Sequence, residues 1–179
     1  MPQFIPGVPD PSEYKAYFAG YIEKAARHAN PCQALQEQHK GLIEFFGPLD
    51  EQRQLHRYAP GKWSIKEVFG HIIDTERVMS YRLLRAARGD QTPLPSFDEN
   101  LFVANASFDS RGWMELLHEF SFLRRATILL LEGLPEEAWM RRGVYPDHPM
   151  SVRALAYVLI GHPAHHLDIV RERYLGQTP

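Results

Sequence analysis

The sequence predicts an all-α protein, a four-helix bundle with an extra short helix near the N-terminus. Apolar residues recur every three or four positions over several long stretches, which is the spacing of one face of a helix. No stretch shows the sustained alternation of apolar and polar residues that is typical of a half-buried strand. Because an amphipathic helix must bury its apolar face, long helices of this kind favour packing against one another as a bundle.

The first two helices are separated by a clear break. A short helix is predicted within residues 12–29, after a proline-rich extension formed by residues 1–12. The apolar residues that recur there at helical spacing are Tyr14, Phe18, Tyr21, Ile22 and Ala25. Asn30 and Pro31 end this pattern, and a second helix then keeps the helical spacing as far as Gly47.

The third helix has the most clearly marked start. Ser64 is a predicted N-cap, and Glu67 stands three residues later, where it completes a capping box. The apolar stripe then continues to Gly89, a residue that favours the end of a helix.

Residues 90–108 are predicted to form a loop. A structureless connection of about nineteen residues within a compact domain is often functional or acts as a lid. Phe97 and Asp98 are therefore lid candidates, with an ordinary packed loop as the alternative.

The remaining elements complete the bundle. Asp109 is predicted to cap a helix that ends at Gly133, and residues 134–139 are predicted to form a short helical turn. Residues 141–149 then form a loop, after which Ser151 caps a last helix reaching about Leu175.

Composition excludes several classes of function. The 179 residues, 44% of them hydrophobic, form a single predicted domain (1–179), and the formal charge of −2 argues against binding to nucleic acid or an anionic membrane. Cys32 is the only cysteine, so no internal disulfide and no cysteine-based zinc site is expected. The apolar run 154–160 is too short to cross a bilayer, and the N-terminus lacks a secretory pattern, so a cytoplasmic protein is expected.

The last helix places histidines on its inward face. The inward positions of a heptad begun at Val152 are Val152, Leu155, Leu159, His162, His166, Ile169 and Arg173. His162 and His166 are one turn apart, close enough to bind one ion, whereas His165 falls beside the seam. His71 follows a glycine on the third helix, as His162 does on the last, and occupies a comparable face relative to its cap.

Two interpretations of these histidines remain open at this point. If the two helices face each other, His71, His162 and His166 converge and hold a divalent ion, for which histidine is the commonest ligand. Alternatively, they are hydrogen-bonded core residues without a ligand. The residue pattern by itself gives the two interpretations similar weight.

Three segments resemble the DinB-like superfamily of metal-binding four-helix bundles. They read YAPGKWSIKEVFGHIIDTER, RGDQTPLPSFDEN and SVRALAYVLIGHPAHHLDIVRERY, in the same order and spacing as in the family, between about Gln33 and Tyr174. The resemblance implies an up-down-down-up bundle, often dimeric, with a divalent ion held by one histidine of the second bundle helix and an H-x-x-x-H pair of the fourth. Those positions here are His71, His162 and His166.

The resemblance also implies a function. Some DinB-like members are described as metal-dependent hydrolases, and others as transferases that activate a low-molecular-weight thiol such as bacillithiol or mycothiol. We therefore expect an enzyme that acts on a small-molecule substrate with a three-histidine centre, holding zinc or nickel, with manganese or iron as alternatives. The competing hypothesis is a non-catalytic metal-binding or dimerising bundle associated with stress or damage.

Several residues near the predicted ligands are catalytic candidates. Asp74 follows His71 by one turn and is placed to orient an imidazole ring, while Glu76 belongs to the DTER motif. Arg82, with its neighbour Tyr81, is placed to meet a substrate anion. For each of them, ion pairing or packing at the helix surface is the alternative.

Pro163 lies between the paired histidines. It removes the N–H that would bond the carbonyl of Leu159, so a kink at Gly161–Pro163 is expected. A kinked helix can keep the metal site, but a broken helix would separate its ligands.

Overall fold

A computed structural model describes residues 4–145 and 148–177. These residues contain seven α-helices, two two-residue strands and several short 3₁₀ turns. The helices are α1 Ala19–Ala25, α2 Pro31–Phe46, α3 Glu51–Gln54, α4 Ile65–Ala87, α5 Glu99–Ala106, α6 Trp113–Glu132 and α7 Val152–Ile169. The strands, β1 Arg142–Gly143 and β2 Met150–Ser151, pair antiparallel just before α7.

Local sequence signals set most of the helix starts. The Asn30 side chain accepts from two backbone N–H groups of α2, and the Ser64 side chain accepts from the backbone N–H of Glu67. Glu67 in turn accepts from the backbone N–H of Ser64, so the predicted capping box is confirmed. Ser151 caps α7 through the backbone N–H of Ala154.

The four long helices form the predicted up-down-down-up bundle, in which α2 and α4 each pack beside both α6 and α7. Helix α6 is antiparallel to α2, since Trp113 at its start donates to the carbonyl of Phe46 at the end of α2 (3.2 Å). Helix α6 is parallel to α4, because the Trp113 ring also packs against Phe69 in the early part of α4. Helix α7 runs parallel to α2, with Arg171 just beyond its end lying over the ring of Phe45.

The apolar core is divided into two clusters by a polar layer that crosses the bundle. One cluster contains Leu35 and Leu83, and the other contains Phe46 and Phe69. Between them, each long helix contributes polar residues at the same level. These residues are Gln38, His71, Glu76, Arg124, His162 and His166.

Two local predictions were wrong. Residues 90–108 are not a structureless loop, because Asp98 caps helix α5, which buries Val103. Asp109 does not cap α6: its carboxylate instead accepts from the Ser64 hydroxyl (2.5 Å), and the N-cap of α6 is Gly112.

The predicted seam of α7 also fails at its end. Arg173, expected to face inward, is exposed, whereas Val170 and Tyr174 are buried. A straight helix of 3.6 residues per turn drifts away from a heptad seam, and residues Val170–Tyr174 form a wider π-helical turn.

No helix in the described part of the chain has the length and apolar character needed to span a bilayer.

Candidate metal centre

Three histidines from two helices meet in the polar layer. The Nε2 atom of His162 lies 2.9 Å from Nε2 of His71 and 3.0 Å from Nε2 of His166. One ring nitrogen from each residue lies within 4.8 Å of the others. The convergence predicted from the helix registration is therefore present in the fold.

On each of the two helices, a glycine directly precedes a histidine of the cluster, and another segment of the chain packs closely against that glycine. A Cβ on Gly161 would stand 2.0 Å from the carbonyl oxygen of Tyr21, so only glycine lets α1 cross α7 this closely. A Cβ on Gly70 would stand 2.4 Å from the ring of Phe108. The Gly-His pairs seen in the sequence thus combine a close packing position with a histidine of the cluster.

The three imidazoles are held in the neutral form. Burial lowers the pKa of His71 to about 4, and burial together with His71 and His165 lowers the pKa of His166 to about 3. Burial and the neighbouring imidazoles hold the pKa of His162 well below its ordinary value. At neutral pH all three rings therefore offer lone pairs, the state in which histidine binds metals.

The cluster fits a divalent ion. Two nitrogens bound to one tetrahedral zinc ion are about 3.3 Å apart, given zinc–nitrogen distances of about 2.0 Å. The two Nε2 contacts of 2.9 and 3.0 Å are close to that spacing, and the third pair of ring nitrogens lies within 4.8 Å. Without an ion, two such nitrogens in contact must share one hydrogen, and the third ring lacks an equivalent partner for its Nε2.

One side of the cluster opens into a cavity of about 350 Å³. His71, His162 and His166 all line it, so a ligand in the cavity reaches the three histidines directly. Aromatic side chains form much of its wall. These are Tyr17, Phe18, Tyr21, Trp63, Phe97 and Tyr145.

Comparison with known proteins assigns the sequence to a family. The sequence profile of the DinB superfamily matches residues 34–170. The chain belongs to the DinB superfamily. No curated protein matches it significantly in sequence.

A solved structure has a fold similar to that of this chain. YfiT from Bacillus subtilis, described as a probable metal-dependent hydrolase with an unusual four-helix bundle topology, is similar with a TM-score of 0.75. The alignment covers 96% of both chains at 18% sequence identity. At that identity, the likeness establishes the DinB-like fold.

This DinB-type bundle stays helical across Pro163. Helix α7 is continuous from Val152 to Ile169, so the pair His162 and His166 keeps its spacing and the broken helix that would have separated the ligands does not occur. The carbonyl of Leu159, which lacks the proline N–H, accepts from Arg124 Nη2 at 3.3 Å.

The same region is supported by a buried ion pair. Arg124, which is 0% exposed, donates to both carboxylate oxygens of Glu76 at 3.0 and 2.7 Å. Arg124 also donates to Oε1 of Gln38, whose Nε2 donates to the carbonyl of Ile160. Four helices are thereby joined beside the histidine cluster.

The structure separates the four side chains proposed from sequence as catalytic candidates. Glu76 lies in the ion pair with Arg124, and the Asp74 carboxylate lies 3.7 Å from Arg77. Tyr81 is half exposed and accepts from Arg85. Arg82 is the only one of the four that lines the cavity within the described structure.

The other sequence candidates lie at the edge of the site. The ring of His165 packs against Tyr21 with the centroids 5.4 Å apart, which agrees with its predicted place beside the seam. Of the two lid candidates, Phe97 lines the cavity, whereas Asp98 caps α5.

Sequence reasoning missed most of the cavity lining, including Thr75 and Tyr21. Thr75 follows His71 by one turn, so the two share a face of the helix, but a threonine in an apolar stripe gives no distinctive signal of a binding site. Tyr21 lies within the first predicted helix, and its place over His162 depends on how α1 crosses α7.

Proposed function

We propose that this protein is a divalent-metal-dependent enzyme acting on a small molecule, as a hydrolase or as a transferase that activates a low-molecular-weight thiol. The convergence of three neutral histidines at the wall of a cavity carries the proposal. Three protein ligands leave at least one coordination position for water or substrate, which is typical of a catalytic metal site.

His71, His162 and His166 would hold the ion, and imidazole ligands favour zinc or nickel, with manganese and iron as alternatives. When bound, such an ion lowers the pKa of water or of a thiol, which supplies a nucleophile at neutral pH. The Tyr21 ring, whose centroid lies 5.5 Å from that of His162, shields this histidine from water. Burial raises the pKa of Tyr21 to about 12, so its hydroxyl stays protonated.

Metal content tests the first half of the proposal. The untagged protein, incubated with zinc or nickel and desalted, is expected to retain about one ion per chain, since the three histidines form one site. His71→Ala and His166→Ala should lose it, whereas His165→Ala is the matched control because its ring lies outside the convergent cluster. Equal metal content in wild type and His71→Ala would overturn the assignment of ligands.

Turnover tests the second half. The metal-loaded protein is assayed in parallel against simple esters and amides, and against electrophiles supplied with bacillithiol, mycothiol or glutathione. Activity of either kind that disappears in His71→Ala supports an enzyme and identifies its class. Stoichiometric metal without any such turnover favours the non-catalytic metal-binding alternative.

A further inference from the structure

The cavity extends away from the histidines along one face of α4. His71, Thr75, Met79 and Arg82 all line it, at helical intervals of four, four and three residues. At about 1.5 Å per residue, His71 and Arg82 are about 16 Å apart along the helix axis. Arginine side chains on a helix lean toward its N-terminus, so the guanidinium of Arg82 lies nearer the histidines than its Cα does.

Arg82 carries a buried charge that pairs with no carboxylate among the described residues. Its side chain is 8% exposed, and no acidic oxygen lies within 4 Å of it in the described structure. One guanidinium nitrogen donates to the carbonyl of Pro95 at 2.9 Å, and the other terminal nitrogen contacts only the sulfur of Met79 at 4.0 Å. Most of the five guanidinium donors are therefore left for another acceptor.

Neighbouring groups in the described structure hold Arg82 in place, but none of them is an anion. The guanidinium carbon lies 5.7 Å from the ring centroid of Phe97 and 5.3 Å from that of Tyr145. Glu99 also lines the cavity but makes no ion pair with Arg82. Burying an unpaired cation is costly, so its position in a ligand cavity indicates that a bound anion completes it.

Thr75, which lies between His71 and Arg82 along α4, provides an independent observation that points to a ligand in the cavity. Its side chain is 4% exposed and lines the cavity, and its hydroxyl has no hydrogen-bond partner in the described structure. Buried hydroxyl groups nearly always have a partner, so a ligand or an ordered water in the cavity is the expected one.

We propose that the cavity binds a small molecule that has a carboxylate or phosphate group and a largely apolar body with one polar atom. The anion is held by Arg82, a polar atom of the body hydrogen-bonds Thr75, and the aromatic walls cover the apolar part. The far end of the molecule then lies at the three histidines. This assignment of substrate class rests on the proposed function, whereas the anion site itself does not require the metal.

Binding of defined probes tests the proposal without an activity assay. Calorimetry and thermal shift measure binding of 4-phenylbutyrate, phenyl phosphate and the uncharged 4-phenylbutyramide, each with metal-free and zinc-loaded protein. We expect one of the two anions to bind about tenfold or more tightly than the amide, since a hydrogen bond to a charged group contributes that much.

Variants then assign the binding to residues. Arg82→Gln should reduce the anion affinity to that of the amide, and Arg82→Lys, which keeps the charge, should recover part of it. Arg85→Gln is the matched control, because Arg85 lies on the same helix but is paired with Asp90. Thr75→Val should leave thermal stability unchanged or raise it, since it removes an unsatisfied buried hydroxyl.

The outcomes separate this proposal from the proposed function. His71→Ala should lose metal but keep the anion preference, so failure of the metal site leaves the anion site testable. Equal binding of anions and amide to the wild type, or unchanged anion binding in a folded Arg82→Gln variant, would overturn the proposal. Absence of binding by both anions would overturn it as well.

Discussion

Two glycines determine how closely other segments approach the histidine cluster. Gly70 and Gly161 each precede a cluster histidine, and each faces a group that a methyl would contact. At Gly161 the opposing group is backbone, which cannot move aside as a side chain does. A single hydrogen at this position therefore determines where α1, and with it Tyr21, lies against α7.

Gly161→Ala should destabilise the protein. The new methyl group would stand 2.0 Å from the Tyr21 carbonyl oxygen, so α1 must move away from α7, at a cost of about 2 kcal/mol. Urea unfolding measures this change in the free energy of unfolding. Gly41→Ala, in the exposed part of α2 with no described atom within 4 Å of the new methyl, should instead stabilise by about 0.5–1 kcal/mol. Equal stability of Gly161→Ala and wild type would contradict this account.

At the scale of elements, the polar layer joins particular helices through specific hydrogen bonds, whereas apolar contacts alone do not specify which helix packs against which. Arg124 on α6 bonds Glu76 on α4, Gln38 on α2 and the Leu159 carbonyl on α7. Pro163 has no N–H to donate to that carbonyl, so the Arg124 guanidinium supplies the hydrogen bond that the proline cannot make.

Arg124→Met should be strongly destabilising. It leaves the Glu76 carboxylate buried without a partner, which costs about 3–5 kcal/mol when one member of a buried ion pair is removed. The double variant Arg124→Met/Glu76→Met should recover much of this loss, because no charge then remains unpaired. Arg125→Met, at an exposed position one residue later on α6, should change stability by about 0.5 kcal/mol or less in the same denaturation experiment.

The N-terminal segment is attached to the start of α7 by a second buried ion pair. The Glu13 carboxylate accepts from the Ser151 hydroxyl and from Arg153 Nε, both at 2.7 Å. Burial alone would raise the pKa of Glu13, but the hydrogen bonds from Arg153 and Ser151 outweigh it and lower the pKa to about 2.

This ion pair should give the protein an acid-sensitive contribution to stability. Because the folded pKa of Glu13 lies below its ordinary value of 4.5, the contribution is complete above pH 4.5 and is lost as the pH falls toward 2. Glu13→Gln should therefore be less stable than the wild type by about 2 kcal/mol at pH 7, with the difference shrinking below pH 4.5. Urea titrations at pH 7, 5, 4 and 3 measure it, and a difference independent of pH would contradict the prediction.

For the whole molecule, a bound ion would connect α4 to α7 across the layer that divides the core. Since only the folded chain brings His71 to His162 and His166, binding stabilises the folded state relative to the unfolded one. The homodimer implied by the family resemblance remains a prediction, which sedimentation of the purified chain measures.

Metal removal should lower the melting temperature. At free metal about 100 times the dissociation constant, binding adds about 2.7 kcal/mol, and a chain of this size gains about 2–4 °C per kcal/mol. Chelation should therefore lower the melting temperature by about 5–10 °C, as measured by calorimetry. His162→Ala should show no response to chelator or added metal, and a wild type equally insensitive would contradict the metal centre.

The sequence by itself determined the class of fold, the main helix starts and the three histidines. Caps and helical periodicity are local properties, so Ser64, Glu67 and Ser151 identify their helices without tertiary information. The i, i+4 spacing of His162 and His166 likewise fixes their common face before any packing occurs.

The tertiary structure decided what each polar residue of the layer does. Glu76 and Arg82 are six residues apart on one helix, yet one bonds Arg124 and the other lines the cavity. That difference depends on which neighbouring helix each side chain meets, and such contacts join residues far apart in the chain. Likewise, Asp109 carries the signal of a helix cap but bonds Ser64 on another helix, because tertiary contacts outweigh a local preference of about 1 kcal/mol.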